Sequence, residues 1–148
     1  MTNDDPMAFE VFNEIGIINQ LTSAAFSSVL PKGMTIAQFS VLNHFARLEL
    51  TEKSPANLAN AFQITRPTMT STLARMEKSG LVKIKPDPDD GRAKLVSVTA
   101  AGKKMRIRCL QLLAGPMAEA QSVLSRATLA KLSPLLKEVR EKLDKLRD

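Results

Sequence analysis

Between Met7 and Val29 apolar residues return every three or four positions: Phe9, Phe12, Ile15, Ile18, Leu21, Ala25 and Val29. That spacing predicts one long helix with a single buried stripe. The stretch "LPKG", Leu30 to Gly33, ends it. Thr35 followed three places later by Gln38 reads as a capping box, the hydroxyl accepting from an unused backbone N–H and the amide reaching back. Phe39, Leu42 and Phe45 then supply one face of a second helix. Ser54 is a good N-cap for a third, with Pro55 at the first helical position, where its missing N–H costs nothing. Leu58, Ala59 and Phe62 point inward from it. After the short break "QIT" a fourth helix starts, capped by Thr65 or Arg66, because Pro67 disfavours a helical Arg66. Gly80 closes it as a C-terminal cap.

The period then changes from 3.6 to 2. Val82 and Ile84 alternate with Lys83 and Lys85; Val96 and Val98 alternate with Leu95 and Ser97. Two such runs around a Pro/Asp/Gly segment predict a β-hairpin. Pro86 and Pro88 cannot donate to a ladder, so the loop is expected to be long, from Asp87 to Ala93. A fifth helix follows Thr99, basic at first ("GKKMRIR") and then apolar at Leu110, Leu112 and Leu113. Gly115-Pro116 is expected to kink or end it. A last helix from about Ser125 carries Leu129, Leu132, Leu136, Val139, Leu143 and Leu146 in a heptad-like seam, with a bend expected at Pro134. The order predicts a mainly α fold with a small β-hairpin wing: two short helices across a tight turn, then a hairpin, make a winged helix-turn-helix.

Charge adds a second pattern. The chain has 148 residues, enough for one domain with a real core, and a net charge of +6. Residues 1–46 carry net −3, residues 47–108 net +7 and residues 109–148 net +2. A basic middle between less basic ends suggests a binding module for a polyanion held by a scaffold. The chain has six Phe and no Trp or Tyr, so aromatic stacking on bases is not the expected device. Cys109 is the sole cysteine; no internal disulfide can form, and a reducing, cytoplasmic setting is expected. The acidic start, "MTNDDPMAFEV", is not expected to be a signal peptide, and no apolar run is long enough to span a membrane.

On the fourth helix Met69, Leu73 and Met76 share one face. Pro67, Thr68, Ser71, Ala74, Arg75 and Lys78 share the other, small and hydroxylic at the N-terminal end and basic towards the C-terminal end. Small hydroxyls at a helix start approach base edges or phosphates closely, and the positive dipole end favours phosphate. Arg66 is the long side chain there able to take guanine O6 and N7 in a fork. An ordinary amphipathic helix with a solvated outer face shows the same periodicity; the basic hairpin directly after it is what points to DNA. Enzyme readings lack support: there is no P-loop, no dinucleotide turn and no triad in context. His44 and Cys109 match no metal-ligand spacing, and Asp87, Asp89 and Asp90 lack the terminal Glu of a calcium loop. No cofactor is expected.

The segments "TIAQFSVL", "SPANLANAFQITRPTMTSTLARMEKSGLVKI" and "DPDDGRAKLVSVTAAGKK" resemble the MarR family (multiple antibiotic resistance regulators) over nearly the whole chain. The most specific signature is an Asp-x-Arg wing followed by a Thr-x-x-Gly helix start, here Asp90, Arg92, Thr99 and Gly102. The resemblance implies a homodimeric transcription regulator, acting as a repressor on a pseudo-palindromic operator. It implies dimerisation helices in residues 1–34 and 100–148 and a DNA-binding lobe in 35–99. It implies that Arg66, Pro67, Thr68, Thr70, Ser71 and Arg75 belong to the recognition helix. Arg92, with Lys94 close behind, would enter the minor groove, and Ser54 and Asn57 would meet phosphate. Asp90, two residues before Arg92, is expected to hold and aim the guanidinium by paired hydrogen bonds.

Many relatives respond to small phenolic or anionic ligands bound between the dimer helices and the lobe. Asn19, His44 and Arg47 are the polar residues expected to border such a pocket, although His44 also suits a structural role. Some relatives sense oxidants through a cysteine near the start of the first helix, which this chain lacks. Cys109, after the basic run "KKMRIR", is the alternative redox site; a cysteine is also a small buried hydrophobe. A winged helix that binds protein would want an apolar or acidic recognition face, unlike the polar-to-basic one here.

Overall fold

The computed structural model describes residues 6–147; the acidic start with Asp4 and Asp5 lies outside the described residues. The elements run α1 (Pro6–Val29), α2 (Ile36–Arg47), α3 (Pro55–Phe62), α4 (Arg66–Lys78), β1 (Val82–Pro86), β2 (Lys94–Val98), α5 (Ala100–Val123) and α6 (Arg126–Lys145). The chain divides into two compact units at Leu113/Ala114, within α5.

In the first unit, local chemistry sets the helix starts. Thr35 Oγ1 accepts from Gln38 N at 3.2 Å, Ser54 Oγ from Asn57 N at 3.1 Å and Thr65 Oγ1 from Thr68 N at 3.3 Å. Thr65 is therefore the cap of α4, and Arg66 is its first helical residue, with extended backbone only at Thr65 (ψ 151°). Helix ends follow one pattern. Leu81 N donates to Met76 O and Gly80 N to Glu77 O, both at 2.9 Å, with Gly80 left-handed at φ +75°. Those two bonds form a Schellman turn, and the φ is one glycine adopts without penalty. At the end of α3 Gln63 takes the same conformation (φ 51°), steadied by its Nε2 donating to Asn60 O at 2.7 Å. This is the tight turn of the helix-turn-helix.

The core lies where α2, α3, α4 and the hairpin converge: Leu42, Leu58, Met69, Leu73, Met76 and Val96 are all at most 1% exposed. At ~25 cal/mol per Å² of apolar area removed from water, burying each such side chain contributes about 1.5–3 kcal/mol. The strands are antiparallel, with Ile84 opposite Val96 and Pro86 opposite Lys94. Pro86 thus belongs to the strand. Asp87 N donates across to Ala93 O, so alternate positions put the nitrogen of Pro86 on the outer edge, where no ladder bond is lost. Val96 exchanges both backbone bonds with Lys53 (3.0 and 2.9 Å), which pins the loop before α3 to the hairpin.

Thr99 joins the hairpin to α5. Its N–H donates to Leu81 O at 3.1 Å, its hydroxyl donates to Gly80 O at 2.6 Å and accepts from Gly102 N at 3.0 Å. Gly102 sits against Leu81 so closely that a Cβ would lie 2.1 Å from Leu81 O. That contact is the reason for the Thr-x-x-Gly pattern. Arg106 Nε donates to Asn43 Oδ1 at 3.1 Å, tying α5 to α2.

Of the two outcomes expected at Gly115-Pro116, an end is excluded: α5 continues to Val123, and α6 holds Pro134 inside its span as expected. Each proline removes one backbone bond, which the flanking turns of a long helix absorb. The stripe of α1 is also not buried within one chain: Phe9 is 72% and Leu21 67% exposed, and no residue of α1 is buried. In the second unit α6, capped by Ser125 Oγ accepting from Thr128 N at 3.0 Å, has no buried residue either. Among the described residues no helix is long and apolar enough to cross a membrane.

Candidate nucleic-acid interface

The inner face of α4 is anchored by Met69, Leu73 and Met76, so its outer face is presented rigidly to solvent. Arg66, Pro67, Thr68, Thr70, Ser71 and Arg75 are all exposed on it. Thr68 is partly engaged: its hydroxyl shares a hydrogen bond of 2.8 Å with that of Thr65. The hairpin rises beside α4 and the two enclose an open groove of about 750 Å³. Ser54, Arg66, Thr70, Arg92 and Lys94, residues far apart in sequence, line it together. Asn57 is exposed on α3, its N–H bound to Ser54 Oγ.

The wing tip is a turn in which Ala93 N donates to Asp90 O at 3.0 Å. Asp87 Oδ1 accepts from Asp89 N at 2.9 Å and Asp90 Oδ1 from Arg92 N at 3.0 Å. The expected paired hydrogen bonds from the Arg92 guanidinium to the Asp90 carboxylate are absent among the described residues. A carboxylate bonds the N–H two residues on more cheaply than it reaches along a flexible arginine, because the Asx turn orders almost no side chain. Asp90 therefore shapes the backbone that carries Arg92. Gly91 needs no left-handed φ and has open space at its Cβ, so its part in the turn is permissive only.

The groove also holds residues that sequence patterning passed over. Lys85 lines it and is paired with Glu52 at 2.5 Å. Strict alternation in "VKIK" was the available signal for Lys85, since it places both lysines on the outer face. Glu77, at the last turn of α4, lines it as well; no periodicity marks this residue.

The other candidates separate. A second cavity, about 560 Å³, lies between α2, β2 and α5, with Glu49, Lys103 and Arg106 among its lining residues. Asn19, His44 and Arg47 are not among the residues that line it. Asn19 and Arg47 are exposed, and His44 packs its ring on Phe62 at 5.1 Å between centroids. Burial, then the neighbouring Arg47 and Lys53 charges, lower the pKa of His44 below its usual value. Cys109 is fully buried, and burial pushes its thiol up against the weaker pull of Arg108. Its geometry is that of a packed hydrophobe, so the redox alternative is not favoured. Among the described residues no group of three or more His, Cys, Asp or Glu could hold a metal ion.

Comparison with known proteins points one way. Residues 32–93 match a model described as "MarR family". The chain is 31% identical over 86 residues to the transcriptional activatory protein BadR of Rhodopseudomonas palustris, covering 57% of this chain and 49% of that protein. The chain thus spans about half of BadR's length. It is 32% identical over 96 residues to the transcriptional regulator HosA of Escherichia coli, covering 65% of this chain and 69% of HosA. A crystal structure of a MarR mutant from E. coli complexed with operator DNA superposes with a TM-score of 0.74 at 26% identity, over 93% of this chain and 99% of that one.

Proposed function

This chain belongs to the MarR family, and from that premise we propose that it is a homodimeric, sequence-specific double-stranded DNA-binding transcription regulator, a repressor acting on a pseudo-palindromic operator in the cytoplasm. The observation that carries this reading is the groove between α4 and the wing, where Ser54, Arg66, Thr70, Arg92 and Lys94 converge. Arg66 and the small residues Thr70 and Ser71 face a major groove. Arg92 enters the adjacent minor groove, where narrow A·T tracts concentrate negative potential. Ser54 and Asn57 hold phosphate from the start of α3, and Lys94 and Arg75 add cation at the edges.

The uncovered apolar residues on α1 and α6 support a dimer. Exposed rows of Phe, Ile and Leu of this extent are a feature of interaction surfaces. Two lobes then meet two half-sites about 34 Å apart, one helical turn. A small phenolic or anionic effector releases the DNA by favouring an arrangement in which the lobes no longer match that spacing. The cavity between α2, β2 and α5, with Lys103 and Arg106 on its wall, suits such a ligand.

Genome-wide recovery of DNA bound by the protein, followed by titration of the recovered duplex at rising salt, tests the reading. Affinity should fall steeply with salt, because lysines and arginines release counterions from phosphate. A salt-independent complex, or recovery of no defined sites, would point to a protein partner instead.

A further inference from the structure

An acid in a groove lined by arginines and lysines opposes phosphate. Glu77 is such an acid, in company with Arg66, Lys85, Arg92 and Lys94. Its carboxylate is bound to the wing: Glu77 Oε2 accepts the backbone N–H of Ile84 at 2.7 Å. The register explains why that N–H is available. Val96 engages both of its backbone groups with Lys53, so the Ile84–Val96 pair exchanges no ladder bonds. The Ile84 N–H therefore points to the open edge of β1. An unpaired edge donor is satisfied by water or by a side chain. Here the side chain comes from the last turn of α4.

We propose that Glu77 is a positioning residue that sets the angle of the wing against the recognition helix, and so aims Arg92 into the minor groove. This rests on the DNA-binding reading above. At its base the hairpin is held by the Gly80 turn and by Thr99, through Thr99 N to Leu81 O and Thr99 Oγ1 to Gly80 O. All of these lie below Ile84. Glu77 is the attachment from α4 farther up the strand. From Val82 at its base to the tip the hairpin extends about 20 Å, so a tilt of about 10° at the base would carry the tip about 3.5 Å. Productive contacts tolerate errors of about 0.5 Å. The Val96–Lys53 bonds and the Lys85–Glu52 pair tie the hairpin to the segment before α3, while the Glu77 bond ties it to the recognition helix and so bears on the displacement at Arg92.

Two substitutions separate positioning from charge. Glu77→Gln keeps an oxygen acceptor and removes the negative charge; Glu77→Ala removes both. Hydrogen exchange at the Ile84 amide is read in the free protein, and operator affinity and minor-groove footprint in the complex. Glu77→Ala should speed Ile84 exchange, weaken the operator about tenfold, the scale of one lost base-pair contact, and erase the wing's footprint while leaving that of α4. Glu77→Gln should restore protection, footprint and at least the original affinity. Equal strengthening in both variants would show Glu77 to be only a repulsive charge and would overturn the proposal. So would an Ile84 amide equally protected in Glu77→Ala. Failure of the unmodified protein to bind any duplex would instead sink the DNA reading, and it would be evident without any substitution.

Discussion

Asp90 and Arg92 are joined through the backbone: Asp90 Oδ1 accepts the Arg92 N–H at 3.0 Å. The carboxylate folds the tip and leaves the guanidinium to the groove. Arg92→Ala should weaken operator binding by about 1–3 kcal/mol, the range for one lost base-pair contact. Asp90→Asn keeps the acceptor and should bind at least as well as the parent. Asp90→Ala should lose about 0.5–1.5 kcal/mol through a loosened turn. Gel-shift titration decides; equal losses in both Asp90 variants would mean that its charge, not its turn, matters.

Gly102 and Leu81 are in contact without room for a methyl group. A Cβ at Gly102 would meet the Leu81 carbonyl oxygen at 2.1 Å and Val98 Cγ1 at 2.8 Å. A backbone oxygen cannot swing aside, so Gly102→Ala should destabilise at the upper end of the usual overpacking range, about 3 kcal/mol. Urea denaturation measures it through the midpoint at constant m. A change within about 0.5 kcal/mol, the ordinary surface range, would show that α5 shifts freely at its start.

His44 gives stability a pH dependence. Its folded pKa lies below the ordinary 6.5, chiefly through burial and then through Arg47 and Lys53. The unfolded chain therefore binds the proton more readily. The contribution is complete above pH 6.5 and is lost as pH falls through the lower folded value. Denaturant midpoints taken downward from pH 7.5 should drop in the parent and drop less in His44→Gln. Identical slopes would assign the loss to other groups.

Cys109 should not react with a thiol reagent in the native protein. It is fully buried with its pKa raised, and the thiolate is the reactive form. Reaction should appear only with denaturant. Stoichiometric labelling of native protein, with release of bound DNA on oxidation, would restore a redox role.

The apolar rows of α1 and α6 should be covered in solution. Leu132 and Leu136 are 42% and 48% exposed in the single chain. Light scattering on the eluting protein should give twice the chain mass, and Leu132→Lys with Leu136→Lys should give monomer and weak operator binding. A parent that elutes as monomer at micromolar concentration would remove the dimer.

Much of this was readable along the chain because it is local. Ser54, Thr65 and Ser125 cap helices through bonds to residues three places on. The alternation of Val82 and Ile84 encodes a strand, and Met69, Leu73 and Met76 encode a buried face. What was missed involves partners chosen in three dimensions. Asp90 bonded a backbone group instead of a side chain. Glu77 reached Ile84 across the turn that ends α4. His44 found Phe62, and a cavity formed beside Arg106, by the same choice of partners in three dimensions.

By itself, then, the sequence determined the elements, their order and the basic character of the middle segment. Caps, periodicity and charge depend on neighbours within about four residues, and those neighbours are written in order along the chain. Tertiary structure decided which side chains share the groove, which acid serves the wing and which apolar faces stay uncovered. These depend on hydrogen-bond register and on close contacts between segments distant in the chain. Gly102 shows the difference in one residue: its helix could be foreseen, but its need to be glycine exists only because Leu81 lies against it.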